Sequence, residues 1–429
     1  MILRHFKWTA PQDLTAELRE WFSAGAPDVD VGRIEAAVAA EGDAALLRLT
    51  AEFDATESAP ESLAVDLGRA DDALDIADDE VVAALRIAIE NVAAVARAQT
   101  DDTETVVKLE QGQTVTTGEV PVASAAIYAP GGRASYPSSV VMGCVTARTA
   151  GVARVVLVTP PGPDGRVNPT TLAAAALCGV DEIYAVGGAQ AIFALARGTD
   201  SITPVDVIAG PGNYWVQAAK RSVSGEVGID SPAGPSDLMV VFGRETDLGP
   251  VALDLCAQAE HGSESPLVAV GPDRQTLDRL AEQVESVAAR EPSVNDCRLA
   301  LIAAPGPDGA IDLANAFAPE HLQLMDPGSA ALATRVRTAG CVFTGPEAGT
   351  AFGDYLAGSN HILPTDGTGR IFGPLSPATF RRKTARVSLD RQAAALLAGP
   401  LDVLARAEGL PVHGRSATAR IQHPEEDDE

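Results

Sequence analysis

No two cysteines of this 429-residue chain are spaced as CxxC. The five, Cys144, Cys178, Cys256, Cys297 and Cys341, are scattered, which argues against a disulfide framework and against a thiolate-built zinc knuckle. No apolar run approaches the ~20 residues needed to span a bilayer. The start, MILRHFKWTAPQDL, lacks the long apolar core of a signal peptide. Lysine is rare, with only Lys7, Lys108, Lys220 and Lys383. Against 59 acidic residues stand 32 basic ones, a net charge of −27 that disfavours nucleic acid and anionic membrane as partners. The expectation is a soluble cytoplasmic protein.

What is present is length and apolar content. A chain of 429 residues with 46% hydrophobic residues exceeds one compact core, so two or more domains are expected. From residue 125 onward, short β-rich runs end in Gly/Pro turns and alternate with Ala-rich helical stretches. The first set is AAIYAP (125–130), VVLVTP (155–160), EIYAVGG (182–188) and DVIAGPG (206–212). The second is DLMVVF (237–242), PLVAVG (266–271), LALIAA (299–304) and CVFTGP (341–346). Nearly continuous apolar strands separated by helices predict parallel sheets covered on both faces. The loop GIDSPAGPSD (228–237) divides the two sets, so two α/β domains are expected. Residues 80–98 predict one long amphipathic helix. The last fifty residues lack strand runs and are expected to form a helical appendage, a candidate dimer arm.

Ligands of open α/β sheets bind beyond the carboxyl ends of strands. The turns APGG (129–132), VGGAQ (186–190) and AGPGN (209–213) sit at such ends. None forms GxGxxG; the nearest approach, GPGNYW, has Trp215 in place of the third glycine. Each is either a tight βα turn or a backbone cradle for a dinucleotide at a helix N-terminus.

Candidate polar groups come from four places. In VALDLCAQAEHG (251–262), a helical wheel puts Gln258 within about 20° of Val251 and about 60° from Leu255, on the apolar face. His261 falls one turn further along the same side, and Glu260 points to solvent. Such a pair is either an internal hydrogen bond or two groups reaching a common ligand. APEHLQL (318–324) offers Glu320 and His321 for proton transfer, or a plain helix-end pair. FGDYLAGSNH (352–361) supplies Asp354 and His361, and EGLPVHGRS (408–416) supplies Glu408 and His413. Zinc accepts imidazole and carboxylate readily and an amide oxygen less often. Cys144 lies in the apolar segment VVMGCVTART and is expected to be a core residue, not a nucleophile.

Taken together these segments resemble the histidinol dehydrogenase family. The motifs that carry the resemblance are IYAPGGRASYPSSV (127–140), VGGAQAIFALARG (186–198), GPGNYWVQAAKRSV (210–223), GIDSPAGPSDLMVV (228–241), AQAEHG (257–262), APEHLQL (318–324), GDYLAGSNHILPT (353–365) and AEGLPVHGRSA (407–417). The resemblance implies oxidation of L-histidinol to L-histidine through the aldehyde, with two NAD⁺ used in turn. It implies one Zn²⁺ per subunit on Gln258, His261, Asp354 and His413. Glu320 and His321 become the acid/base pair, and Tyr128, Gln190 and Asn213 the NAD contacts. Substrate contacts fall on Ser236, Gln258, His261, His321, Asp354, Glu408 and His413. It further implies a homodimer in which Glu408 and His413 come from the partner subunit.

The implied α/β fold has two incomplete, duplicated Rossmann-like parallel-sheet domains plus small helical N- and C-terminal parts. The expected partition is an arm at 1–24, a first domain at 25–127 and 235–376, a second, NAD-binding domain at 128–234, and a C-terminal exchange part at 377–429. Asp237 departs from the family's usual Glu, Trp215 from a common Tyr, and the acidic tail from His423 is extra. Two other readings fit parts of the pattern: a zinc- and NAD-dependent dehydrogenase of another small polar alcohol, and a metallohydrolase using zinc-bound water. Assays with other amino alcohols, and a test of NAD binding, separate them. The acidic, lysine-poor composition also predicts a solvated shell suited to a salt-rich cytosol; activity and folding should rise with salt, and full stability at low salt would contradict this.

Overall fold

A computed structural model of the chain describes all residues except 25, 26, 28, 55, 56, 59, 61, 132–134, 233 and 423–429. Gly132 of the first glycine-rich turn and the acidic tail therefore lie outside the described residues. The strands in chain order are β1 (Ile2–Phe6), β2 (Ala64–Val65), β3 (Thr105–Lys108), β4 (Thr114–Pro121) and β5 (Ser124–Tyr128). There follow β6 (Arg154–Thr159), β7 (Glu182–Ala185), β8 (Val207–Ala209), β9 (Gly228–Ile229) and β10 (Leu238–Val241). The last are β11 (Pro266–Gly271), β12 (Arg298–Ala303), β13 (His321–Leu324), β14 (Cys341–Thr344) and β15 (Arg381–Ser388). Residues 1–99 and 122–380 form one unit, and residues 100–121 and 381–429 a second.

The larger unit holds two six-stranded sheets, in the orders β2-β7-β6-β5-β8-β9 and β1-β12-β11-β10-β13-β14. Five consecutive strands of each sheet run 3-2-1-4-5 in their own chain order and pair in parallel, the Rossmann-like order short of its last strand. The expected duplication is thus visible in topology. Each set is completed beside its third strand by a strand from the first 65 residues: β2 pairs antiparallel with β7, and β1 parallel with β12.

Side chains of each strand alternate between two cores, as period-two geometry requires. Ala125, Ile127, Val155 and Leu157 face one side of their sheet, and Ala126, Tyr128, Val156 and Val158 the other. In the second sheet Leu238, Val240, Leu267 and Leu299 oppose Met239, Val241, Val268 and Ile302. The helix Pro137–Thr149 lies so close on β5 that a Cβ at Gly143 would stand 2.3 Å from Ile127 Cγ2, so glycine is required there.

The packing differs from the expected partition in two places. Residues Val31, Ile34, Leu46 and Leu49 share a core with Tyr128 and Ile192, and Leu85 and Val92 of the long helix Asp79–Gln99 share one with Ile127 and Leu157. The helices of 32–99 therefore cover the sheet of β5–β9, not that of β10–β14. The first 24 residues are not a detached arm: Phe6, Leu14 and Leu18 pack with Met239 and Ile302.

The smaller unit is a correction as well. Its stretch at 377–429 is expected to be helical, but β15 lies there and pairs antiparallel with β4, which pairs with β3. The helices Arg391–Ala407 and Pro411–Gln422 complete it and pack on each other. Among the described residues no helix is long and apolar enough to cross a membrane.

Candidate active site

A cleft of about 370 Å³ opens between the two sheets of the larger unit. One wall is the carboxyl edge of the β5–β9 sheet, at the point where strand order reverses between β5 and β8. Pro130, Gly210, Gly212 and Asn213 line it there. The opposite wall is the amino edge of the β10–β14 sheet, at the equivalent reversal between β10 and β13. Ser236, just before β10, and Glu320 and His321, at the start of β13, line that side.

The amino-edge groups are tied together by the parallel pairing of β10 with β13, in which Leu238 stands beside His321. Glu320 N–H donates to Asp237 Oδ1 at 2.9 Å, and Asp237 N–H donates back to Glu320 Oε2 at 2.9 Å. The Ser236 hydroxyl donates to the same Oε2, and Gln258 Nε2 donates to Ser236 Oγ at 2.8 Å. His321 Nδ1 lies 3.2 Å from the Asp237 carbonyl oxygen and 3.6 Å from Glu320 Oε2. A carbonyl only accepts, so Nδ1 carries hydrogen and Nε2 is the atom that titrates. That Nε2 stands 3.3 Å from Asp354 Oδ1, at ion-pair range without hydrogen-bond alignment. Phe343 stacks on the ring, with centroids 6.0 Å apart.

Burial and neighbouring charge shift these groups in opposite directions. Burial, reinforced by Glu320, pushes Asp237 up to about 8. Burial pulls His321 down, but the charges of Glu320 and Asp354 outweigh it and raise the ring well above the usual histidine range. Burial likewise opposes ionisation of Asp354, yet His321, His361 and His261 hold its carboxyl below the usual range. His361 donates from Nδ1 to the Asp354 carbonyl at 2.7 Å and contacts the Ser139 hydroxyl through Nε2 at 3.1 Å. Burial, with His261 and His321 nearby, keeps that ring below its ordinary value.

Comparison with known proteins places this arrangement. The sequence profile of the histidinol dehydrogenase family matches residues 23–421. The chain belongs to the histidinol dehydrogenase family. It is similar to histidinol dehydrogenase of Gloeobacter violaceus, 42% identical over 392 residues that cover 90% of this chain and 88% of that one. The enzyme of Pseudomonas fluorescens is 42% identical over 399 residues, with coverage of 90% and 88%. The crystal structure of histidinol dehydrogenase from Elizabethkingia anophelis superposes with a TM-score of 0.88 at 28% identity, covering 98% of each chain.

The cleft brings together six of the residues suggested by the family resemblance: Asn213, Ser236, His261, Glu320, His321 and Asp354. Gln258 lies just behind Ser236. It is buried, as its wheel position predicts, on the helix Leu248–Ala259. His261 departs from the wheel, because that helix ends at Ala259 and His261 stands exposed on the following turn. Tyr128, at the end of β5, and Gln190, in the helix after β7, lie on the carboxyl-edge side of the β5–β9 sheet. The Tyr128 hydroxyl accepts from Gly188 N–H at 3.1 Å, and both amide atoms of Gln190 are buried without a partner. Asn213 caps the helix Tyr214–Val223, its Oδ1 accepting from the N–H groups of Trp215 and Val216 at 3.1 Å each. Glu408 and His413 belong to the smaller unit, where both are exposed and border an apolar groove with Leu401, Leu404 and Leu410. Cys144 is a fully buried core residue.

Sequence reasoning passed over Asp237, noted only as a departure from the family's Glu, although its backbone and carboxyl seat both Glu320 and His321. It also left His361 as a neighbour, whereas its ring braces the backbone of Asp354 from the cleft wall. The adjacency of Ser-Asp to an apolar strand was the available signal for the first.

The shift of Asp237 has a measurable consequence. Its folded-state pKa, about 8, lies above the ordinary 3.8, so its contribution to stability is complete below pH 4 and is lost as pH rises through 8. The stability of the wild type relative to Asp237→Asn should therefore fall between pH 4 and pH 8 and then level off in urea unfolding; a constant difference would contradict the shift.

Proposed function

We propose that this chain oxidises L-histidinol to L-histidine in two NAD-dependent steps at the cleft, with one zinc ion per site. The observation that carries the reading is the Asp237-seated Glu320–His321 pair, facing both the glycine-rich edge and Asp354 across one cleft. A soluble cytoplasmic enzyme is part of the same reading.

The residues fit both absent groups. Among the described residues no three His, Cys, Asp or Glu side chains form a ready metal cluster. The proposed set has only His261 and Asp354 of those types in the larger unit, and Gln258 as a third donor. Gln258 Nε2 is committed to Ser236, so its carbonyl oxygen is the atom left for a metal. Zinc there would orient the substrate's nitrogens. For the dinucleotide, the unpartnered Gln190 amide beside the glycine-rich turns offers both a donor and an acceptor. NAD would accept one hydride in each step.

In the first step the alcohol gives up its hydroxyl proton and a hydride, leaving the aldehyde. His321 Nε2 faces the cleft to take that proton. The charges of Glu320 and Asp354 favour the protonated ring, so committing Asp354 elsewhere would make Nε2 a better base. In the second step water adds to the aldehyde, and the hydrate loses a second hydride to give the carboxylate. Glu320 Oε2 is held by Ser236 and the Asp237 amide, which leaves Oε1 to take a proton from that water.

Glu408 and His413 are proposed to reach the site from a partner subunit. Their exposure on an apolar groove, with Leu404 65% and Val412 62% exposed on the same two helices, supports a surface covered by a second copy.

Two NADH released per histidinol, lost on metal removal, is the expected result for the wild type; one NADH, or none, would overturn the reading. Glu320→Gln should slow oxidation of the aldehyde by about 10²-fold or more while slowing the alcohol step less. Equal losses would remove the water-activating role. Mixing inactive His413→Ala subunits with inactive Gln258→Ala subunits should restore about a quarter of the sites if the ligands cross a twofold interface. No recovery in verified mixed dimers would count against the exchange.

A further inference from the structure

Lys220 is fully buried, whereas the other three lysines are exposed. Nothing in the proposed chemistry uses it. It lies on the helix Tyr214–Val223, and its Nζ donates to the Gly210 carbonyl at 3.0 Å and pairs with Asp230, whose side chain is 6% exposed. Asp230 Oδ2 in turn accepts from Gly210 N–H at 2.8 Å, and its Oδ1 accepts from Ser231 N–H at 2.8 Å. One ion pair therefore holds both polar groups of a single peptide residue, the N–H through the acid and the C=O through the base.

That residue must be glycine. Gly210 has φ +128°, a left-handed conformation that disfavours side chains, and a Cβ there would stand 2.1 Å from the Tyr128 carbonyl oxygen. Gly210, Asn213, Asp230 and Ser231 all line the cleft. The pair thus sits behind two successive loops of the cofactor-side wall, after β8 and after β9, and fixes them to each other.

We infer that the Lys220–Asp230 pair is a positioning clamp that sets the glycine-rich turn for dinucleotide binding, and so governs NAD affinity without touching the reacting atoms. A buried pair is weak as a source of stability, because desolvation offsets its attraction, but removing one partner strands the other charge. Its geometric role is separable from that cost. This inference rests on the reading that NAD binds at the carboxyl edge of the β5–β9 sheet.

The test compares the zinc-loaded wild type with Lys220→Met, Asp230→Asn, the double variant Lys220→Met/Asp230→Asn and Lys220→Arg. NAD affinity is read by calorimetric titration, alongside separate KM values for NAD and histidinol. In the variants lacking the pair, the NAD dissociation constant and KM should rise about tenfold or more, with the histidinol KM moved less than about threefold. Lys220→Arg should recover part of the affinity. If the single variants fail to fold, the double variant, with neither charge left stranded, carries the comparison. Folded variants with wild-type NAD affinity, merely lowered in melting temperature, would overturn the clamp while leaving the function intact. A wild type that binds no NAD would overturn the clamp and the functional reading together.

Discussion

Glu320, His321, Ser236 and Gln258 are all placed by the reciprocal exchange between Asp237 and Glu320. Two backbone N–H groups at the starts of adjacent parallel strands each find the other residue's carboxylate. The exchange satisfies donors that strand pairing leaves open at the edge, in a place too buried for water to serve. It also fixes Glu320 Oε2, through it Ser236, and through Ser236 the amide of Gln258. His321 follows because its own N–H and Nδ1 both face the Asp237 carbonyl. Loosening this one contact would release Glu320, His321 and Gln258 together.

The two sheets share strand order but offer opposite edges to the cleft. The β5–β9 sheet presents its carboxyl edge, where glycine-rich turns and a helix N-terminus suit an anionic dinucleotide. The β10–β14 sheet presents its amino edge, where short segments entering the strands carry the polar side chains. A glycine-rich wall and a wall of polar side chains thus arise from one topology used in two orientations. Lys220 and Asp230 anchor the first wall much as Asp237 and Glu320 anchor the second.

What was legible in the sequence was what apolar patterning controls. Eight apolar runs became strands, the long helix at 79–99 formed where its periodicity put it, and the buried face of Gln258 followed from three residues of context. β13 was not legible. Its run HLQL is short and half polar, and it is a strand because β10 and β14 flank it on both sides. β15 was missed because RRKTARVS carries charge where a strand is usually recognised by its apolar residues, and only its pairing with β4 defines it. The cores covering the β5–β9 sheet were assigned to the wrong sheet because helices at 32–99 precede both sheets in the chain and their faces do not state a partner. The grouping of Ser236, Glu320, His321 and Asp354 was out of reach of spacing and came from the family resemblance.

The first strand has a consequence for how the chain is made. Ile2 pairs with Arg298, so β1 has no partner on the ribosome until nearly three hundred more residues have followed it. The β5–β9 sheet, by contrast, has all its strands once residue 229 has emerged, including β2. Synthesis therefore favours an order in which the β5–β9 sheet pairs first, while β1 waits as a potential aggregation edge until its slot beside β12 appears. The wall that carries Glu320 and His321 lies in the sheet whose strands emerge last, and it forms beside a sheet whose strands are already present.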